Sequence, residues 1–223
     1  MEEFVEARAV MKEYAGETVL AGCSLTLGAG DFACVTGPSG AGKSTLLSII
    51  GLLMRPDGGA VVADGRNCLD MADAEASALR SRLFGFVFQH NQLVGSLRAI
   101  DNVLVPACFG GHDVGAAAVR GAGLIERFGL ASRANHFPHQ LSVGQKRRVA
   151  LARAMVLEPD VLIADEPTND LDSEAAEVVM DALGEYAQAG HAVLCATHDE
   201  RLAERAARVW HLDGGFLGEV GHL

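Results

Sequence analysis

Gly37-Pro38-Ser39-Gly40-Ala41-Gly42-Lys43-Ser44-Thr45 decides how the rest of the chain reads. The stretch fits G-x-x-x-x-G-K-[ST], with Gly37, Gly42, Lys43 and Ser44 at the fixed places. Glycines let the backbone fold so that successive N–H groups point inward, where phosphate oxygens are held. The lysine reaches the β- and γ-phosphates, and the hydroxyl of Ser44 is offered to Mg²⁺. An apolar run, Phe32–Thr36, precedes the loop, and a helical stretch, Lys43–Ile50, follows it. That helix adds the positive end of its dipole to the same spot.

Working outward, short charge-free runs recur at Phe84–Phe88, Val161–Ala164 and Ala192–Thr197. They read as strands buried on both faces of a parallel sheet. Helical stretches lie between them: Ala74–Arg82, Ala116–Phe128, Gly144–Val156 and Ser173–Gln188, the last opened by Asp172 or Ser173 as N-cap. Phe4–Val10 and Val19–Leu27 alternate instead, as antiparallel strands do. Arg98–Arg133 is the most helical block. The expected fold class is α/β: a P-loop NTPase core with a mainly parallel sheet, an N-terminal antiparallel β portion and an inserted helical subdomain. Residues 1–223 read as a single domain, with the helical subdomain roughly over 90–158.

Composition narrows the classes. Apolar residues make up 49% of the 223, enough to bury a core, so disorder is excluded. Net charge is −11, which argues against nucleic acid as a partner because that needs a basic footprint. No run reaches the about 20 apolar residues of a membrane span. The run Leu46–Met54 contains Ser48 and Gly51, and the N-terminus lacks a signal-peptide pattern. The five cysteines are widely and irregularly spaced, which suggests neither a disulfide framework nor a zinc site. Cys34 and Cys195 lie in strand-like runs and read as core thiols, and a reducing cytosol fits. His136 and His139 flank Pro138 without an evident third ligand and read as loop histidines.

Two acids end one of the strands, in Val161-Leu-Ile-Ala-Asp165-Glu166. Ligands of open α/β sheets bind beyond the carboxyl ends of the strands. Asp165 is therefore placed to hold Mg²⁺ and Glu166 to polarise an attacking water. Taken alone, the pair reads better as a turn cap at Asp165 and a solvated Glu166, and the phosphate loop is what reverses this in favour of the metal. His198 ends Ala192–Thr197 in the same way and is a candidate γ-phosphate sensor, or else a polar strand tip. Gln89 ends Phe84–Phe88, where its amide reaches the metal or the water, or else is an ordinary loop glutamine.

The order of these motifs is more specific than any one of them. The chain runs GPSGAGKST, FVFQ, LSVGQKRR at 141–148, VLIADEPTNDLD at 161–172 and ATHD at 196–199. Over essentially its whole length it resembles the ATP-binding subunit of an ABC transporter. The resemblance implies ATP and Mg²⁺ as ligands and hydrolysis as the activity. It makes Gln89 the Q-loop residue, puts Ser142, Gly144 and Gln145 in the signature motif, ends the D-loop at Asp172 and makes His198 the switch histidine. Tyr14 resembles the aromatic that stacks on adenine, although a buried tyrosine at a strand edge is the competing reading. The signature serine and glycine open a helix, which suits an anion. In the family that helix serves nucleotide bound to a second subunit, so two chains meet head to tail around two ATP.

This chain departs from the family at Val143, where glycine is usual. The expectation is that Val143 points away and the site stays active. Ser48–Gly59, Phe86–Gln89, Asp101–Pro106 and Arg133–His136 resemble the macrolide-exporter, lipoprotein-release and cell-division branch. That branch implies export or mechanical work through integral membrane permease subunits. The ATPase is then cytoplasmic and peripheral on the inner face of the membrane, without a span of its own. Contact with the permease is expected around Gln89–Pro106. The alternative is a soluble ABC ATPase acting on ribosomes or DNA, which the TNDLD stretch resembles. The single cassette and the lack of sustained heptads over 46–140 speak against it.

Overall fold

The computed structural model describes residues 3–220. In chain order the elements are β1 (Glu3–Tyr14), β2 (Glu17–Gly28), β3 (Phe32–Thr36), α1 (Lys43–Ile50), β4 (Gly58–Ala63), β5 (Arg66–Asn67), α2 (Asp73–Leu83), β6 (Phe84–Val87), α3 (Ala99–Leu104), α4 (Val114–Arg127), α5 (Val143–Met155), β7 (Val161–Asp165), α6 (Ser173–Gln188), β8 (Ala192–Ala196), α7 (Glu200–Arg205), β9 (Arg208–Asp213) and β10 (Phe216–Val220). Two sheets form. One is antiparallel, in the order β2-β1-β4-β5, and the other runs β10-β9-β3-β8-β7-β6. In the second, β9, β3, β8, β7 and β6 are mutually parallel, and β10 adds antiparallel to β9. The α/β class with an antiparallel N-terminal part is thus as the sequence implies.

The period of two along each central strand feeds two separate cores. Phe32, Cys34, Leu162, Ala164, Val193 and Cys195 face the layer that holds α5 and α6. Ala33, Val35, Val161, Ile163, Leu194 and Ala196 face the layer shared by α1 and the antiparallel sheet. Strands covered on both sides carry no polar alternation, which is why these runs are charge-free. In α1, Leu46, Leu47, Ile49 and Ile50 are all buried, so the helix is gripped between the two sheets. Each such side chain contributes about 1.5–3 kcal/mol by leaving water. Truncation of Ile49 to alanine would cost roughly 2–5 kcal/mol and loosen the phosphate loop that the helix carries.

Between β6 and β7 no strand occurs. Helices α3 and α4 pack on each other and on α5. Their inward side chains, Ala99, Val103, Ala117 and Ile125, join the α5–α6 core. The antiparallel strands are longer than the alternating runs indicate, because β1 and β2 continue together to a turn at Ala15-Gly16. Helix α5 starts one residue before the expected Gly144, because the Ser142 cap makes Val143 the first helical residue. No helix among the described residues is long and apolar enough to cross a membrane.

Candidate active site

The phosphate loop leaves the carboxyl end of β3 and enters α1. Its glycines are required by space as well as by conformation. A Cβ on Gly37 (φ +140°) would stand 2.2 Å from the Leu212 carbonyl oxygen, and one on Gly42 (φ +99°) 2.8 Å from Val19 Cγ1. No side chain caps α1 and no acid sits in its first turn, so its positive end stays open to an anion. The Lys43 ammonium lies over its own loop, donating to the carbonyls of Gly37 (2.7 Å) and Pro38 (3.0 Å).

Asp165, the last residue of β7, lines the same cleft as the Ser44 hydroxyl. Burial raises its carboxyl above the ordinary carboxylate range, and the charge of Glu166 adds to this. The Ser44 hydroxyl and the cations Lys43 and Arg147 pull the other way without cancelling it. Glu166 sits at φ +48°, a sparsely populated conformation for a residue with a side chain. Its N–H donates to the Ala196 carbonyl at 2.9 Å, which fixes it beside the end of β8. Its nearly buried carboxylate accepts from the His198 backbone N–H at 3.4 Å and stands 2.9 Å from His198 Nδ1, and the His198 side chain is two-thirds exposed, at 66%. The carboxylate is thus anchored while the imidazole stays open to a ligand.

These groups meet in one cleft of about 570 Å³, of a size that takes a nucleotide. Ser39, Gly40, Gly42, Lys43, Ser44 and Thr45 line one side, and Gln89, Asp165, Glu166 and His198 the other. Tyr14 and Val19 close it at the antiparallel sheet. Tyr14 is 45% exposed at the end of β1, so the buried strand-edge reading does not hold. Its hydroxyl reaches Met54 Sδ at 3.0 Å, and Lys12 Nζ stands 5.7 Å from the ring centroid. Gly37, Pro38 and Ala41 lie behind the lining: Gly37 against β9, Pro38 under Lys43, and Ala41 against the antiparallel core.

Ser142, Gly144, Gln145 and Asp172 are elsewhere, and none lines the cleft. Ser142 and Gln145 form a capping box: Gln145 N–H donates to Ser142 Oγ (3.2 Å), and Ser142 N–H to Gln145 Oε1 (3.0 Å). Asp172 caps α6 by accepting from Ala175 N–H at 2.8 Å. A Cβ on Gly144 would come 3.2 Å from Ala175 Cβ, so this glycine lets the starts of α5 and α6 lie together. Val143, half-exposed, projects from the same edge.

Three further residues, which the motif reading passes over, organise these loops. Thr168 Oγ1 donates to Asp199 Oδ2 at 3.0 Å and so ties the segment after Glu166 to the one after His198. Arg147 and Arg153 of α5 reach the backbone that follows β6. Arg147 sits inside the charged run Lys146-Arg147-Arg148, which disguises it as a surface residue. Its spacing of four and seven from buried Leu151 and Ala154 is the signal that places it inward.

A phosphate loop at a strand-to-helix turn, an acid pair ending a parallel strand one removed from it and an antiparallel sheet beside them define a P-loop ATPase cassette. The sequence profile described as "ABC transporter" matches residues 20–169. The chain belongs to the ABC transporter family, as one of its ATPase cassettes. It is 42% identical over 222 residues to the pyoverdine export ATP-binding/permease protein PvdT of Pseudomonas fluorescens, which covers 97% of this chain and 34% of the relative. It is 39% identical to the macrolide export ATP-binding/permease protein MacB of Hyphomonas neptunium, over 98% of this chain and 35% of that protein. The chain thus spans about a third of the length of these relatives. Among solved structures, the dimeric post-hydrolysis state of the ATP-binding cassette MJ0796 with ADP and Pi superposes with a TM-score of 0.90. It is 35% identical, and the match covers 97% of both chains. A second dimeric structure of MJ0796, described as a bacterial ABC transporter cassette, gives 0.87 at 35% identity, covering 96% of each chain.

Proposed function

We propose that this chain binds ATP with Mg²⁺, closes on a second copy of itself around two ATP, and uses hydrolysis to drive export through a membrane permease. One observation supports the reading: the residues assigned to ATP handling do not all gather in one cleft. The phosphate loop, Asp165, Glu166, His198 and Gln89 share a cleft, whereas Ser142, Gly144, Gln145 and Asp172 do not line it. Side chains finished as helix caps, with helix N-termini turned outward, suit nucleotide that arrives on another molecule.

The residues fit the implied ligands. Asp165, Ser44 and Gln89 line one cleft as hard oxygen donors, the donor set that Mg²⁺ prefers. Bound there, the ion would neutralise charge on the phosphates. Lys43 and the loop amides hold the β- and γ-phosphates, and Tyr14 offers a half-exposed ring to the base. Glu166 draws the proton of a water as its oxygen bonds to the γ-phosphorus. The bond to the β-phosphate oxygen breaks, ADP leaves, and the proton passes on to phosphate. His198, whose Nδ1 stands beside Glu166, keeps its other ring nitrogen for the γ-phosphate.

Export is supported by the relatives, both of which carry it in their names. The permease would meet the chain near Gln89–Pro106, from the cytoplasmic side of the membrane. The test is the variant Glu166→Gln on size exclusion with and without ATP. The reading expects a dimer that needs ATP; a variant that binds ATP and remains monomeric would overturn it.

A further inference from the structure

The segment after β6 is fastened to the helical side of the molecule and not to the strand it leaves. Arg147 donates through Nη1 to Phe88 O (2.8 Å) and through Nη2 to Gln89 O (2.9 Å). Arg153, six residues on, donates to Gln92 O (2.8 Å) and Asn91 O (2.9 Å). Two guanidinium forks from one helix therefore hold four of the five carbonyls from Phe88 to Gln92. The next stretch is held likewise: buried Asn102 of α3 accepts from Val94 N–H and donates to the carbonyls of Val94, Leu97 and Arg98. Arg147 itself is 2% exposed, has no carboxylate within ion-pair distance among the described residues, and leaves Nε unpartnered. A buried cation without a contacting anion costs stability, and two carbonyl bonds with an unused donor offset this only in part. That fits a group retained for what it positions.

We propose that Arg147, backed by Arg153, is a positioning residue that makes the Gln89 loop an extension of α5, so that Gln89 moves with the helix that begins at Ser142. A shift of that helix end on a partner is then carried along α5 to Gln89 in this chain's own cleft. The inference rests on the function proposed above, since it gives Gln89 a task at the Mg²⁺ and water.

The test uses Arg147→Gln, which loses the fork and the charge, and Arg147→Lys, which keeps only the charge. Both are made in a Cys108→Ser, His90→Cys background, with a nitroxide attached at the exposed position 90. Cys108 is the one exposed cysteine among the described residues, so the label is confined to the loop. The expected result is a mobile spectrum at position 90 in both variants, with a control label on α6 unchanged. In unlabelled protein, kcat falls about tenfold while KM for ATP stays within about threefold. On a Gln89→Ala background the Arg147→Gln change has no further effect on kcat, because the two act through one another. An immobile label in the variants, or kcat losses that multiply, would overturn the inference. If Arg147→Gln does not fold, Arg147→Lys gives the same readouts. A Gln89→Ala variant with full kcat would instead sink the role proposed for Gln89, and the label spectrum still decides whether Arg147 holds the loop.

Discussion

The cleft at the ends of β3, β7 and β8 and the edge where α5 and α6 begin are both helix N-termini with small polar residues, yet they are finished in opposite ways. At the cleft, α1 has no side-chain cap, Lys43 rests on weakly committed carbonyls, and Asp165 is held under a burial cost. At the other edge Ser142, Gln145 and Asp172 are spent on their own helices. The first region stores unmet electrostatic demand for a ligand. The second is a satisfied surface that presents backbone ends outward. The difference teaches that one chain makes two unlike half-sites, and it can be broken or sharpened at either side.

The largest expected effect is Glu166→Gln, which removes the base and should lower the hydrolysis rate roughly 10²–10⁴-fold in a steady-state phosphate-release assay. Next is Lys43→Ala. Loss of a charge-assisted contact to phosphate should weaken ATP binding about a hundredfold by titration calorimetry. Unaltered affinity would mean that the loop is not the site. Asp165→Asn separates stability from function. An acid whose folded pKa is raised carries a folding penalty that is fully present above that pKa and vanishes below its unfolded value. At neutral pH the neutral amide removes the penalty, so the thermal midpoint should rise. Mg²⁺-dependent hydrolysis should be lost, and a lower midpoint would contradict the burial account.

Effects at the satisfied edge are smaller. Ser142→Ala removes a cap and should cost about 1 kcal/mol by urea unfolding, with ATP affinity of the single chain unchanged. Val143→Gly should change turnover by less than about threefold, because a half-exposed side chain at the first helical position packs against little. A hundredfold gain would show that the native valine impairs the site.

How far the sequence carried depended on whether chemistry or context fixed each element. Gly37–Thr45 was legible because phosphate chemistry leaves few alternatives at those positions. The buried strands were legible because their two covered faces exclude polar residues. Strands β9 and β10 were not foreseen, although they pair around Asp213-Gly214-Gly215 and place Leu212 against Gly37. Their short alternation, with Trp210 and Leu212 inward, is broken by charged Arg208 and by exposed Phe216. β4 was hidden for a similar reason: Gly58-Gly59 opens it like a turn, and pairing with β1 and β5 makes it a strand. The helical spacing of Arg147 marks it as inward but does not mark its partners, which are carbonyls 58 and 59 residues away.

The central claim is that each working site takes its phosphate loop from one chain and its signature edge from another. Mixing Lys43→Ala with Ser142→Arg, each inactive alone, tests it directly. The mixed dimer holds one site with an intact loop and an intact signature edge. The account predicts ATPase activity in the mixture that neither variant has by itself, rising with total protein concentration. A mixture as inactive as its components, at concentrations where the chains associate, would contradict it.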